Sequence, residues 1–133
     1  MEVILVGNNC KVLVVDDSTF IYKTIQKHLM DNCFESIDQA TNSSQGIEKF
    51  KDFTYDIVLI DIEIGELDGI NTALIMMAMN PEVTIIMLSS IGDERLIRIA
   101  RNCGIDHFIK KPFAAEDLSQ LLNMVWDNKC NVS

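Results

Sequence analysis

Two rhythms of apolar and polar residues alternate along the chain. The first is the short, unbroken apolar run. It appears at residues 11–15 (Lys-Val-Leu-Val-Val), 57–60 (Ile-Val-Leu-Ile) and 84–88 (Thr-Ile-Ile-Met-Leu). Runs of this length, bounded by turn-forming residues, predict strands buried on both faces of a parallel sheet. A half-polar stretch at 35–40 predicts an edge strand, and residues 107–109 a short fifth strand. The second rhythm is helical. Ile21, Ile25 and Leu29 recur after Ser18, with Phe20 and His28 beside them, and Asn32 and Cys33 close the pattern. Ile70, Ala73, Leu74, Met77 and Ala78 form a second apolar stripe, stopped by Asn80-Pro81. Leu118, Leu121, Leu122, Val125 and Trp126 form a last one. Residues 41–44 are a polar turn able to cap a short helix through Phe50, although Gly46 inside it argues against helix. Residues 93–102 predict a charged helix with Arg95, Arg98 and Arg101 toward solvent and Gly104 as terminator.

Strands and helices thus alternate five times over short connections. This predicts an α/β domain, a doubly wound five-stranded parallel sheet with helices on both faces. The domain is expected over residues 11–128, with an extension at 1–10 and a tail at 129–133. The apolar residues 3–6 read as a tail or a weak edge strand.

Composition narrows the classes of function. A chain of 133 residues, 48% hydrophobic and 23% charged, is expected to be one soluble globular domain. Its net charge of −9 argues against nucleic acid and anionic membrane as partners. No apolar run approaches the ~20 residues of a membrane span. The N-terminus has no basic region or long apolar run of a signal peptide, so a cytoplasmic location is expected. Cys10, Cys33, Cys103 and Cys130 form no Cys-x-x-Cys pair, and only two histidines are present. Reduced thiols fit better than zinc or a disulfide framework.

The candidate chemistry lies at the strand ends. Asp16 and Asp17 follow the first strand, Asp61 ends the third, Ser89 and Ser90 follow the fourth, and Lys111 follows the fifth. In a parallel sheet these ends share one rim, where ligands collect. Three carboxylates brought together repel one another unless a cation joins them. An oxygen-only donor set suits Mg²⁺. A carboxylate is a competent nucleophile toward phosphorus, so the set fits phosphoryl transfer onto Asp61. Lys111 and the metal would neutralise phosphoryl oxygens, and the Ser89 hydroxyl would donate to them. Each residue alone has a plainer reading: Asp16 and Asp17 as helix-capping acids, Ser89 as a turn residue, Lys111 as a surface lysine. Their joint occurrence outweighs it.

Asp16-Asp17, Asp61 with Gly69 eight residues on, Ser89, and Lys111-Pro112-Phe113 occur in this order. Together they resemble the receiver domain of a two-component response regulator. That resemblance implies a flavodoxin-like fold of strand order 2-1-3-4-5. It implies that Asp61 is phosphorylated, that Asp17 and Asp61 ligate Mg²⁺ directly, and that Asp16 holds the ion through water. Glu63 stands where the family lends a backbone carbonyl to the metal. Ser89 matches the switch hydroxyl, Lys111 the site lysine and Phe108 the aromatic switch. The implied phosphodonor is a histidine kinase or phosphotransfer protein. The implied receiver of the signal is a target protein or output domain, with the chain a monomer or a phosphorylation-dependent dimer. No catalysis is implied beyond its own phosphorylation and dephosphorylation. The chain departs from the family at Ile64-Gly65, where Met-Pro is common, and Glu63 adds a fourth carboxylate. Ile91, two residues past Ser89, is apolar and is expected to shield the phosphoryl group from water. A phosphatase of the haloacid dehalogenase type would need Asp-x-Asp after its first strand, and here the acids are adjacent.

Overall fold

The computed structural model describes residues 10–31, 36–64 and 68–131. Residues 3–6, Asn32, Cys33 and Gly65, all singled out above, lie outside them. The described elements alternate as expected: β1 (Lys11–Val15), α1 (Thr19–Asp31), β2 (Ser36–Ala40), α2 (Ser43–Asp52), β3 (Ile57–Asp61), α3 (Gly69–Met79), β4 (Thr84–Ser89), α4 (Glu94–Asn102), β5 (His107–Lys110) and α5 (Ala115–Asn131). All strand pairings are parallel, in the order β2-β1-β3-β4-β5. The chain moves outward from β1 to β2, then returns past β1 to β3. The connections after β1 and β3 therefore diverge, which opens a crevice at that rim of the sheet.

Strand residues alternate between two cores. Leu13, Val15, Val58, Ile60, Ile85 and Met87 face Phe50 of α2, Ile70, Ala73 and Met76 of α3, and Ala100 of α4. Val12, Val14, Ile57, Leu59, Ile86 and Leu88 face Ile25 and Leu29 of α1 and Leu118, Leu122 and Val125 of α5. A fully buried aliphatic side chain contributes roughly 1.5–3 kcal/mol, so this double-faced burial dominates the stability of the central strands. β2 has a neighbour on one side only, and four of its five residues are merely half-buried, as its polar sequence required.

Gly46 does not break α2. Asn42 caps the helix by accepting from the Gln45 N–H at 2.8 Å, and the Gln45 side chain accepts in turn from the Thr41 N–H. A Cβ at Gly46 would come within 3.1 Å of Val15 Cγ2, so glycine lets the helix lie close on β1. Cys10 is fully buried in the core. Helix α5 continues to Asn131, and Lys129 donates to the Glu82 carbonyl, which ties the last turn to the body. Among the described residues, no helix is long and apolar enough to cross a membrane.

Tyr55 pins the edge strand to the body. Its ring is buried and stacks on Phe50, and its hydroxyl donates to Asp38 Oδ2 at 2.5 Å. Burial, then the hydrogen bond and charge of Asp38, hold the phenol well above its ordinary value of 10.0. The folded state thus retains the proton more tightly than the unfolded chain. That stabilisation is complete below pH ~10 and is lost as pH rises beyond it. Tyr55→Phe should cost roughly 1–2 kcal/mol at neutral pH and should flatten the alkaline decline. Denaturant titrations at neutral and alkaline pH check both parts.

Candidate functional site

Four strand ends converge at the crevice. Asp16 and Asp17 come directly after β1, and Asp61 and Ser89 are the last residues of β3 and β4. Lys111 comes directly after β5. Register fixes their relative height, with Asp61 opposite Leu88 and Ser89 opposite Lys110. The rim is stitched further by the Ile62 N–H donating to Leu88 O at 2.9 Å and the Lys111 N–H to Ser89 O at 2.7 Å. The Lys111–Pro112 peptide is cis.

Asp16, Asp17 and Asp61 each offer one carboxylate oxygen to a cluster in which these atoms lie within 4.8 Å of one another. Asp16 is fully buried, Asp61 half-buried and Asp17 exposed. Asp16 Oδ1 accepts from the Ser18 N–H at 2.8 Å, so the acid also closes the turn into α1. Its Oδ2 takes the Lys111 ammonium at 2.7 Å, and the same ammonium reaches Asp61 Oδ2 at 3.4 Å. Burial alone would lower the Lys111 pKa. The hydrogen bond to Asp16 and the charges of Asp61 and Asp16 outweigh it, so the ammonium holds its proton above the ordinary lysine range. Three carboxylates against one ammonium leave two formal negative charges in excess, all on hard oxygen donors. Such a set fits a divalent cation of the Mg²⁺ type.

Glu63 sits apart from this cluster through its side chain. Its N–H donates to Asp61 Oδ1 at 3.0 Å. Its carboxyl turns to Asp93, and the hydrogen bond and charge of Asp93, with smaller effects of burial and of Asp61, raise its pKa. The backbone N–H of Glu63 thus borders the acid cluster at Asp61. Ser89 is buried at the end of β4. Ile91 is 85% exposed, so any shelter it gives Asp61 is that of an overhanging side chain rather than a packed wall. Phe108 is half-buried at the margin of one core, and the Arg101 guanidinium lies 4.6 Å above its ring.

Two participants escape a reading of residue types, and the sequence marks a third, Gly69, only by its spacing from Asp61. Asp93 looks like one more acid of a charged helix, yet it is buried and accepts from the Ser90 N–H at 2.6 Å. Its signal is the Ser-Ser-Ile-Gly-Asp turn, in which Gly92 has φ +98. Gly69 supplies close approach. Its N–H donates to Ile62 O at 3.1 Å, and a Cβ there would stand 2.3 Å from the Asp61 carbonyl oxygen. The Arg101–Phe108 stack joins residues seven apart on different elements, which no periodicity reveals.

The family model described as "Response regulator receiver domain" matches residues 12–123. A protein of Bacillus subtilis (strain 168) named Chemotaxis protein CheY is 34% identical over 113 residues, covering 85% of this chain and 94% of that protein. A Thermotoga maritima protein of the same name is 32% identical over 115 residues, covering 86% and 96%. The crystal structure of a response regulator receiver domain protein from Clostridium thermocellum superposes with a TM-score of 0.83 at 27% identity, covering 91% of this chain and 97% of that one. A CheX-CheY-BeF3-Mg complex from Borrelia burgdorferi contains a chain that superposes at 0.80 with 30% identity, covering 88% and 89%. With the acid cluster and its lysine at the crevice of a 2-1-3-4-5 sheet, the chain belongs to the response regulator receiver domains, the phosphorylatable switches of two-component signalling.

Proposed function

We propose that Asp61 accepts a phosphoryl group from the phosphohistidine of a sensor kinase or phosphotransfer protein. An Asp61 carboxylate oxygen attacks phosphorus, the P–N bond breaks, and the imidazole leaves with its electron pair. The supporting observation is the placement of Asp61: one of its oxygens lies within 4.8 Å of those of Asp16 and Asp17, and its Oδ2 lies 3.4 Å from Lys111 Nζ. Asp17 and Asp61 would hold Mg²⁺ directly, Asp16 through water, and Glu63 through its backbone carbonyl. When bound, the ion supplies positive charge that offsets the carboxylates and an incoming phosphoryl group. The Borrelia relative, solved with beryllofluoride and Mg²⁺, supports this assignment.

The output is a change of surface. New phosphoryl oxygens at Asp61 draw in Ser89 and Lys111, and Phe108 turns into the space that Ser89 vacates. Shifting a two-state equilibrium from 1:99 to 99:1 takes about 5.5 kcal/mol. A few charge-assisted hydrogen bonds of roughly 1.5–3 kcal/mol each supply it. The face built by α4, β5 and α5 then presents a new shape to a target protein or output domain. We read the cytoplasm as the setting and the chain as a monomer or a dimer formed on phosphorylation. Its only catalysis is its own phosphorylation and dephosphorylation. Incubation with Mg²⁺ and acetyl phosphate should add the mass of one phosphoryl group, and chelation of the metal should prevent it. Equal incorporation with and without chelator would exclude the metal role.

A further inference from the structure

Asp93 is a buried carboxylate, 4% exposed, that none of the chemistry above employs. It stands at the N-cap of α4, where an aspartate ordinarily accepts from the N–H groups of its own first turn. Here its side chain makes no such bond. Its Oδ2 reaches back instead and takes the Ser90 N–H at 2.6 Å, a short, charge-assisted contact. The strand before it fixes the direction of that N–H. The Ser89 carbonyl points toward β5, where it accepts from the Lys111 N–H at 2.7 Å. The Ser89–Ser90 peptide is planar and trans, so its N–H points the opposite way, toward β3. β3 is the neighbour of β4 on that side, and Asp61 ends it in register with Leu88. The carboxyl of Glu63, in the loop directly after β3, also hydrogen-bonds Asp93. The Asp93 carboxylate therefore lies between the end of β4 and the loop that follows Asp61.

We propose that Asp93 is an internal competitor of the phosphoryl group: its carboxylate holds the Ser90 N–H that a phosphoryl oxygen on Asp61 takes, and it must leave before that oxygen can bind. Carboxylate and phosphoryl group present the same kind of anionic oxygen to an N–H, and Ser90 has one proton to give. The two anions also repel, because a phosphoryl group adds about −1.5 to −2 of charge. The displaced side chain has a place to go. The N–H groups of Arg95 and Leu96, in the first turn of α4, are the ordinary partners of a cap and receive no bond from Asp93 here. Asp93 thereby favours the unmodified state, slows labelling and weakens the hold on a phosphoryl group once attached. An acid that merely braced the turn would keep Ser89 in place and favour the modified state, so the two roles differ in sign. The inference rests on the phosphorylation of Asp61 proposed above, and the competition at Ser90 is its new element.

The test compares the full chain with Asp93→Ser and Asp93→Asn. Calorimetry in Mg²⁺ gives the affinity for beryllofluoride, a stand-in for the phosphoryl group, and intact mass gives the rate of labelling by acetyl phosphate. Serine caps a helix as well as aspartate does but brings no charge to Ser90. Asparagine keeps the shape of aspartate, so a neutral bond to Ser90, roughly half as strong, remains. Beryllofluoride should bind about tenfold more tightly to Asp93→Ser and by a smaller factor to Asp93→Asn, with labelling faster in the same order. Glu63→Gln removes a neighbouring charge without touching the Ser90 bond and should give a smaller gain than Asp93→Ser. An equal gain reduces Asp93 to general repulsion and overturns the competition for Ser90. Weaker or unchanged binding by a folded Asp93→Ser overturns it too, and where that variant fails to fold, Asp93→Asn decides by the same sign. A parent chain that takes phosphoryl from acetyl phosphate while neither Asp93 variant binds beryllofluoride more tightly overturns the role of Asp93 alone. A parent chain that takes none overturns the phosphorylation reading, and this inference with it.

Discussion

Asp61→Asn incorporates no phosphoryl group from acetyl phosphate, and in Mg²⁺-free buffer it resists denaturant better than the parent chain. Asparagine matches aspartate in shape, and its carbonyl oxygen can still accept from the Glu63 N–H that now meets Asp61 Oδ1 at 3.0 Å. What is lost is the anionic oxygen that attacks phosphorus, so the loss of labelling is complete rather than partial. The gain in stability has a separate cause. Asp61 repels Asp16 and Asp17 and attracts only the Lys111 ammonium, which is closer to Asp16 at 2.7 Å than to Asp61 at 3.4 Å. Two repulsions removed against one attraction lost leave a net gain of roughly 0.5–1.5 kcal/mol after allowance for solvent screening. Adding Mg²⁺ should erase the difference, because the ion neutralises the parent cluster. Intact mass reads the first result and paired denaturant melts the second. Phosphoryl incorporation by Asp61→Asn would move the acceptor to another side chain.

Gly69→Ala combines a loss of stability with a loss of labelling, although it changes no group that meets the phosphoryl donor. Its Cβ would lie 2.3 Å from the Asp61 carbonyl oxygen and 2.8 Å from Ile62 Cα. Both are backbone atoms at the end of a strand paired on either side, so neither can swing away. Either α3 lifts or the end of β3 shifts. Overpacking of this kind costs about 1–3 kcal/mol. A displacement near 1 Å at a reacting group can lower its rate by about a hundredfold. Gly104→Ala is the control. Gly104 closes α4 at φ +95, and a methyl added there would meet nothing within 4 Å, so the cost is backbone strain with no effect on labelling. Equal labelling rates in the Gly69 and Gly104 variants would show that Gly69 does not position Asp61.

The central strands β1, β3 and β4 were legible because each is short, largely apolar and closed by a polar residue. Residues 57–60 announce a doubly buried strand, and Asp61 ends it at the rim as read. The convergence of Asp16, Asp17, Asp61 and Lys111 was legible for a related reason. Parallel strands carry their C-terminal residues to one rim, so position along the chain becomes position in space. Gly46 weakened the expectation of α2 because helix propensity counts backbone entropy and not the gain from lying against Val15. Asp93 and the Arg101–Phe108 stack stayed hidden because their roles depend on side-chain direction between elements. The same limit separates the Glu63 backbone, beside Asp61, from its carboxyl, which leans on Asp93.

The underside of the sheet has a consequence for tethering. Lys11 opens β1 beside Asp56, and Lys129 near the end of α5 shares a cleft with Asp56, Glu82, Thr84 and His107 at the starting ends of the strands. Both flanks of the folded body are therefore anchored on the pole opposite the acidic crevice. A fluorescent protein or affinity handle joined at either flank departs from that pole and leaves the approach of a phosphodonor clear. Fusions at the two flanks should accordingly be labelled at the same rate as each other.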